Sequence, residues 1–113
     1  MAMIDEKTIA SFFGNDASML RGYVTVFIRE SPALVNEMDE ALYSGNYTAL
    51  AVHAHTLKTQ IKYFGYPDLV AQLEEMEQLS QKQVSQALLM PLLSDFNREF
   101  QEAYKALSAI LKL

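Results

Sequence analysis

The residues best suited to chemistry lie in segment 51–65, which contains both histidines of the chain. Apolar residues at helical spacing form one core-facing stripe there: Leu50, Ala54, Leu57, Ile61 and Phe64. On a helical wheel, His55 lies about 140° from that stripe, whereas His53 lies about 60° from it on the opposite flank. The segment therefore predicts a helix with a solvent-facing imidazole at His55 and a boundary histidine at His53.

Two lysines follow His55 on the same side of this helix. Lys58 and Lys62 fall at about 80° and 120° from the core stripe. An exposed imidazole beside ammonium groups is a place for a negatively charged group, although Lys62 is equally well explained as a solvated lysine. A metal site made by His53 and His55 is disfavoured, because residues i and i+2 of a helix point about 200° apart.

Composition limits the class of protein. The chain has 113 residues, which suits a single domain over residues 1–113. It has no cysteine, so disulfides and thiolate metal sites are excluded. Its net charge of -5 disfavours nucleic acid and anionic membranes as partners. We find no signal-peptide layout and no apolar run of the ~20 residues that cross a bilayer, and we expect a cytoplasmic protein.

Helical periodicity recurs along the whole chain and predicts an all-α fold. The predicted helices cover residues 5–13, 17–30, 32–44, 47–64 and 67–79, and the last begins at residue 84. Ser31-Pro32 is interpreted as a boundary between two helices, since proline favours the first helical position. Short connections give an antiparallel four-helix bundle with an additional short N-terminal helix.

Four further expectations concern the second half of the chain. Pro91 lies inside the last helical pattern and either kinks one helix or separates two. The core positions of that pattern are Leu88, Leu92, Phe96, Phe100, Tyr104, Leu107 and Leu111. Residues 80–83 are expected to form a polar connection. Glu74, Glu75 and Glu77 are expected to form an ordinary solvated face of the preceding helix.

A second apolar stripe runs along the 17–30 helix beside its core face. It consists of Met19, Tyr23 and Val26. Either the short first helix covers this stripe, or part of it is an exposed docking patch for a partner.

The residues around His55 resemble the signature of histidine-containing phosphotransfer (HPt) domains. The family pattern is roughly Ala-His-x-Leu-Lys-Gly-(Ser/Ala), ending in an apolar residue and glycine. The matching positions are Ala54, His55, Leu57, Lys58, Phe64 and Gly65. The flanking segments 13–16, 31–32 and 45–50 also look like the family, so the resemblance covers about residues 4–113.

The resemblance implies a phosphorelay intermediate. His55 would accept a phosphoryl group from an aspartyl phosphate on a receiver domain and pass it to another receiver. Lys58 would stabilise the phosphoryl group on His55, and Lys62 is a second candidate for that role. HPt domains have no kinase activity of their own, so the chain is expected to be a stoichiometric phosphocarrier and not an enzyme. No cofactor is expected, because Mg²⁺ belongs to the partner receiver. The partner would be a receiver of a response regulator or hybrid histidine kinase, bound by a monomer.

One position departs from the family pattern. The family usually has glycine one turn after the histidine, where this chain has Thr59, followed by Gln60. The wheel places Thr59 near 180°, facing outward. Its side chain would either crowd a docked receiver or hydrogen-bond the phosphoryl oxygens. The residues expected to contact the partner are Ala51, Val52, Thr59, Met19 and Tyr23.

Two other functions stay open at this point. Thr59 and Gln60 motivate a module that docks a receiver or kinase without phosphotransfer. A phosphatase acting on a phosphorylated receiver needs a water-orienting acid and amide, and no such pair is obvious near His55. Gln60 sits at about 280° on the wheel, away from His55, which weakens the phosphatase hypothesis.

Overall fold

The computed structural model describes residues 6–112, and within that range the chain contains α-helices and no β-strand. The elements are α1 (Glu6–Phe13), α2 (Ala17–Ser44), α3 (Tyr47–Ile61), a 3-10 turn (Lys62–Phe64), α4 (Pro67–Gln81) and α5 (Gln86–Leu111). The four longer helices pack in a ring in chain order, and α1 lies against the 3-10 turn and α2. The predicted four-helix bundle with a short N-terminal helix is confirmed. Asp5, where the first helix was expected to begin, lies outside the described residues.

Local signals mark the start of α3 and the end of the 3-10 turn that follows it. The side chain of Asn46 accepts a hydrogen bond from the backbone N–H of Ala49 at 3.1 Å, which caps the start of the helix. Gly45 and Gly65 adopt left-handed conformations with φ of 73° and 76°, which glycine reaches without steric cost. Between these two points, the buried stripe of α3 sets the direction in which His55 points.

α2 is a single helix, so the predicted boundary at Ser31-Pro32 is wrong. Proline lacks an N–H, and the carbonyl of Ile28, one turn earlier, therefore loses its helical donor. The hydroxyl of Tyr104 on α5 donates to that carbonyl at 3.2 Å. A tertiary hydrogen bond thus supplies the partner that α2 cannot, and the helix continues through Pro32.

α5 also continues through its proline, Pro91, as one helix rather than two. The predicted core position of Leu88 is wrong, because its side chain is 59% exposed while Leu89 is buried. The buried residues of α5 follow unbroken steps of four and three: Leu89, Leu93, Phe96, Phe100, Ala103 and Leu107. Leu92, Tyr104 and Leu111 lie at the edge of the core. The spacing of buried residues that holds after Pro91 therefore also includes Leu89, on the N-terminal side of the proline.

The core faces of α3 and α4 meet at the centre of the bundle. All five stripe residues predicted on the His55 helix are buried, from Leu50 to Phe64. On α4 the buried apolar residues are Leu69, Leu73 and Met76. α4 extends to Gln81 and buries Ser80, so the connection predicted at 80–83 starts too early. With the stripe of α3 turned inward against α4, the opposite face of α3 meets solvent.

Candidate functional site

His55 lies in the middle of α3 with its imidazole at the surface. Its side chain is 56% exposed, whereas Ala54 and Leu57 beside it are buried. The other histidine, His53, is 26% exposed, and its Nδ1 lies 3.4 Å from Oε2 of Glu37 on α2. The structure therefore gives the two histidines different neighbours and leaves His55 the more accessible.

A carboxylate from α4 joins His55 and Lys58 into one cluster. Nδ1 of His55 lies 3.3 Å from Oε1 and 3.2 Å from Oε2 of Glu77. Nζ of Lys58 donates to the same Oε1 at 3.0 Å. The side chains of Lys58 and Glu77 are only 21% and 17% exposed, so their interaction is screened less by water than a fully exposed pair. We call these three residues the His55–Lys58–Glu77 cluster.

The sequence-based assignment of Glu77 to a solvated face is wrong. Glu77 follows Leu73 by four positions, which places it about 40° from a core residue of α4 on a helical wheel. That spacing is a signal that Glu77 lies at the core boundary. Its contact with α3 depends on how α3 and α4 pack against each other. The residue pattern of α4 alone does not predict that packing.

The environment of Glu77 keeps its carboxyl ionised. Burial alone would raise its pKa, but hydrogen bonds from Lys58 and His55, together with their charge, hold the pKa below its ordinary value of 4.5. An ionised carboxylate can only accept hydrogen bonds. A hydrogen bond from His55 to this carboxylate needs the proton on Nδ1, and in that neutral tautomer the lone pair is on Nε2. In that tautomer, Nε2 is the ring nitrogen of His55 that is available for bond formation.

A shallow depression of about 300 Å³ adjoins the imidazole of His55. Its lining residues are Ala51, Val52, His55, Thr56, Glu77 and Gln81. Ala51 is buried and Val52 is 55% exposed. Ala51 and Val52, which were both predicted to contact a partner, therefore line the depression next to the imidazole of His55.

Lys62 has a different neighbour from Lys58. It lies in the 3-10 turn after α3, where its exposed ammonium group is 5.5 Å from the ring centroid of Tyr63. A cation over an aromatic face gains a modest electrostatic attraction. The structure thus brings Lys58 into the cluster with His55, while the contact shown for Lys62 is with Tyr63.

A separate groove lies between α2 and the C-terminal end of α3, one turn beyond His55. Its volume is about 300 Å³, and its lining residues are Tyr23, Val26, Phe27, Thr59, Gln60, Tyr63 and Phe64. Thr59 is partly buried in the wall of this groove, so the expectation that it faces fully outward is wrong. Its hydroxyl donates to the carbonyl of Thr56 at 2.7 Å, and Gln60 lines the same groove.

The second apolar stripe of α2 is covered only in part. Met19, Tyr23 and Val26 are 41%, 49% and 43% exposed. From α1, the ring of Phe13 contacts Tyr23 with its centroid 5.2 Å away. The first helix therefore covers this stripe only where Phe13 contacts Tyr23. The rest of the stripe remains an exposed apolar surface.

Residues 6–112 offer neither of two other kinds of site. No group of three or more histidine, cysteine, aspartate or glutamate side chains there is arranged to hold a metal ion. No helix in that range combines the length and apolar character that a membrane crossing needs.

Residues 22–110 match the model of the Hpt domain family. The chain belongs to this family, whose members are phosphotransfer-relay proteins that carry phosphoryl groups rather than act as enzymes, and that interact with receiver domains of two-component systems. A similar solved structure is histidine-containing phosphotransfer protein B from Pseudomonas aeruginosa PAO1, with a TM-score of 0.83 and 20% identity. The match covers 96% of this chain and 94% of that chain, and at this identity it establishes the fold. A search of curated proteins gave no match.

Proposed function

We propose that the protein is a phosphorelay intermediate and that Nε2 of His55 carries the phosphoryl group. The observation that supports this most directly is the exposed imidazole whose Nδ1 contacts the ionised carboxylate of Glu77. In the first step, the lone pair of Nε2 attacks the phosphorus of a receiver aspartyl phosphate. The P–Nε2 bond forms, the bond from phosphorus to the aspartate oxygen breaks, and its electron pair stays on the aspartate.

Lys58 is proposed to stabilise the phosphoryl group once it is on His55. Catalysis of phosphoryl transfer is largely positioning and electrostatics, and an ammonium group one turn along the helix serves both. Lys62 is a second candidate, because its exposed position leaves the ammonium group accessible to the same oxygens. In this scheme the chain needs no cofactor and has no kinase activity, since Mg²⁺ would be bound by the partner receiver.

The partner is proposed to be a receiver domain of a response regulator or hybrid histidine kinase, bound to a monomer of this chain. It would cover His55 from both sides. Ala51 and Val52 would form one side of the contact, and Thr59, Tyr23 and Met19 the other. Exposed apolar side chains beside a polar centre are typical of protein-binding surfaces.

A second candidate function has one specific observation in its favour. Thr59 fills part of the groove wall at the position where the family usually has glycine. A receiver held away from His55 by that side chain would dock without exchanging phosphate. The protein would then be a receiver-binding module that does not relay.

The test is transfer from receivers of the same organism that have been charged with labelled acetyl phosphate. Acid-labile label is expected on the wild-type chain and on the His53→Ala control, but not on His55→Ala. A receiver that binds in calorimetry without labelling the chain would support the docking module. Equal labelling of wild type and His55→Ala would reject His55 as the phosphoacceptor.

A further inference from the structure

Gln60 places a primary amide in the groove between α2 and α3, at a position where the family usually has a small residue. We propose that Gln60 selects among receiver domains: it favours a receiver that presents a hydrogen-bonding side chain within an apolar surface, and it disfavours one that is apolar at that point. The proposal rests on the proposed function above, because the receiver is the partner that would cover His55. Gln60 is then a specificity-determining residue that does not touch the phosphoryl group.

Aromatic rings form much of the groove. Its lining contains two phenylalanines and two tyrosines: Tyr23, Phe27, Tyr63 and Phe64. The ring centroids of Tyr23 and Tyr63 lie 5.7 Å apart, and those of Phe27 and Phe64 lie 5.4 Å apart. Because these rings pack against one another, the groove is already formed before a partner arrives. Aromatic surface of this kind accepts apolar side chains of a protein partner.

The amide of Gln60 is a polar group in this aromatic lining that is free to bind a partner. The hydroxyl of Thr59, the neighbouring residue of the lining, donates to the carbonyl of Thr56 at 2.7 Å, so its proton is used within α3. The half-buried side chain of Gln60 makes no hydrogen bond within residues 6–112, and its amide is open to water. A primary amide has two N–H donors and an acceptor oxygen. The groove therefore offers hydrogen bonds that only a partner or water can complete.

The position of Gln60 on α3 separates receiver docking from phosphoryl chemistry. Thr59 lies one turn after His55 and lines the groove, so a receiver that reaches His55 along α3 would also cover the groove. Gln60 follows His55 by five positions, which is about 140° around the helix. Gln60 therefore lies on the side of α3 that faces α2, whereas the imidazole of His55 contacts Glu77 on α4. A change at Gln60 should alter receiver binding and leave the phosphohistidine itself unchanged.

Covering the groove would make the Gln60 amide a condition for tight binding. A docked receiver displaces the water that hydrogen-bonds this amide. A receiver with a polar side chain opposite Gln60 replaces those hydrogen bonds, whereas an apolar one leaves a polar group buried and unpaired. Such a mismatch discriminates between partners more strongly than a small difference in the size of an apolar side chain. One unpaired amide is expected to separate the two kinds of receiver by about tenfold in affinity.

The experiment replaces Gln60 with methionine, which has a similar length and helix propensity but no amide. Transfer from a panel of acetyl-phosphate-charged receivers of the same organism gives kcat/KM for each receiver. Gln60→Met should lower kcat/KM about tenfold for the preferred receiver, through KM, and leave it unchanged or raise it for the others. The control Gln101→Met, at an exposed side chain between α5 and α2, should keep the wild-type order. An equal change for every receiver, or no change, would overturn the proposal.

The lifetime of the phosphohistidine tests whether Gln60 acts on docking alone. Phosphoramidate phosphorylates histidine without any receiver, and ³¹P NMR follows the loss of the phosphoryl group. The lifetime should be the same in Gln60→Met and in the wild type, because the amide lies away from His55. A changed lifetime would place Gln60 in the phosphoryl chemistry and would overturn the proposal.

Binding of uncharged receivers, measured by calorimetry, distinguishes failure of this proposal from failure of the relay. If receivers bind but do not label His55, the relay function fails, and the ratios of their dissociation constants for wild type and Gln60→Met still decide the role of Gln60. In ¹H–¹⁵N NMR spectra, the side-chain amide of Gln60 should shift and exchange more slowly with water in the complex with the preferred receiver. An amide signal that keeps its free position in that complex would overturn the proposal even where transfer is normal.

Discussion

The ammonium nitrogen of Lys58 lies 3.0 Å from Oε1 of Glu77, so this lysine is bound to a carboxylate of the neighbouring helix. Nδ1 of His55 contacts the same oxygen at 3.3 Å. A phosphoryl group on His55 would bring several negative oxygens close to an ammonium group that already has an anionic partner. In the proposed relay, the ammonium group of Lys58 therefore interacts with both Glu77 and the phosphoryl group, and not with the phosphoryl group alone.

Removing the Lys58 ammonium should destabilise the phosphorylated state. We expect Lys58→Ala to shorten the phosphohistidine lifetime or to slow transfer by about tenfold, the equivalent of ~1.4 kcal/mol, which is within the range of a charge-assisted hydrogen bond. Helicity should be kept, because alanine favours the helix. ³¹P NMR gives the lifetime and circular dichroism the helicity. Lys62→Ala is the matched control and should change the lifetime less. An unchanged lifetime and rate in Lys58→Ala would remove Lys58 from the site.

The stability that Glu77 contributes should depend on pH. Its pKa in the folded chain lies below the ordinary value of 4.5, so the ionised group stabilises the fold fully above that value, and this contribution is lost as the pH falls through the lowered pKa. Urea unfolding should therefore show a larger free-energy difference between wild type and Glu77→Gln at about pH 7 than at about pH 3. The exposed-face control Glu75→Gln should show a smaller change. A difference for Glu77→Gln that stays constant with pH would contradict the assignment.

The orientation of α3 could be predicted from the sequence because its determinants are local. An uninterrupted apolar stripe, the Asn46 cap and the glycines at positions 45 and 65 all lie within or next to the helix. Together they fix which side chains face inward. The exposed position of His55 follows from them without knowledge of any other helix.

The features of the site and fold that the sequence pattern does not predict depend on contacts between helices. Glu77 joins the cluster because α4 packs beside α3, and α2 crosses Pro32 with the help of a hydroxyl from α5, 76 positions away from Ile28. A stripe extended back from Leu92 predicts Leu88 in the core, whereas the packing of the rest of α5 buries Leu89. Periodicity within one helix cannot distinguish such neighbouring registers.

Thr59 should limit transfer if it holds a receiver away from His55. Thr59→Gly is expected to speed transfer from a charged receiver and to destabilise the fold by about 0.5 kcal/mol, since glycine lowers helix stability. Thr59→Ser keeps the hydroxyl that donates to Thr56 and separates its role from that of the methyl group. Stopped-flow transfer and urea unfolding give the two quantities. Transfer at the wild-type rate in both variants would show that Thr59 does not restrict access.

The hydroxyl of Tyr104 should stabilise the fold more than an ordinary surface hydroxyl does, because it donates a hydrogen bond to the carbonyl of Ile28. Tyr104→Phe is expected to lower the free energy of unfolding by about 1–2 kcal/mol, while Tyr43→Phe, at a side chain that is 75% exposed, should change it by less than about 0.5 kcal/mol. Pro32→Ala restores the helical N–H donor, so Tyr104→Phe should cost less in that background. Urea unfolding of the four chains of this double-mutant cycle measures the coupling. Equal costs in both backgrounds would mean that the Tyr104 hydroxyl does not replace the donor that Pro32 lacks.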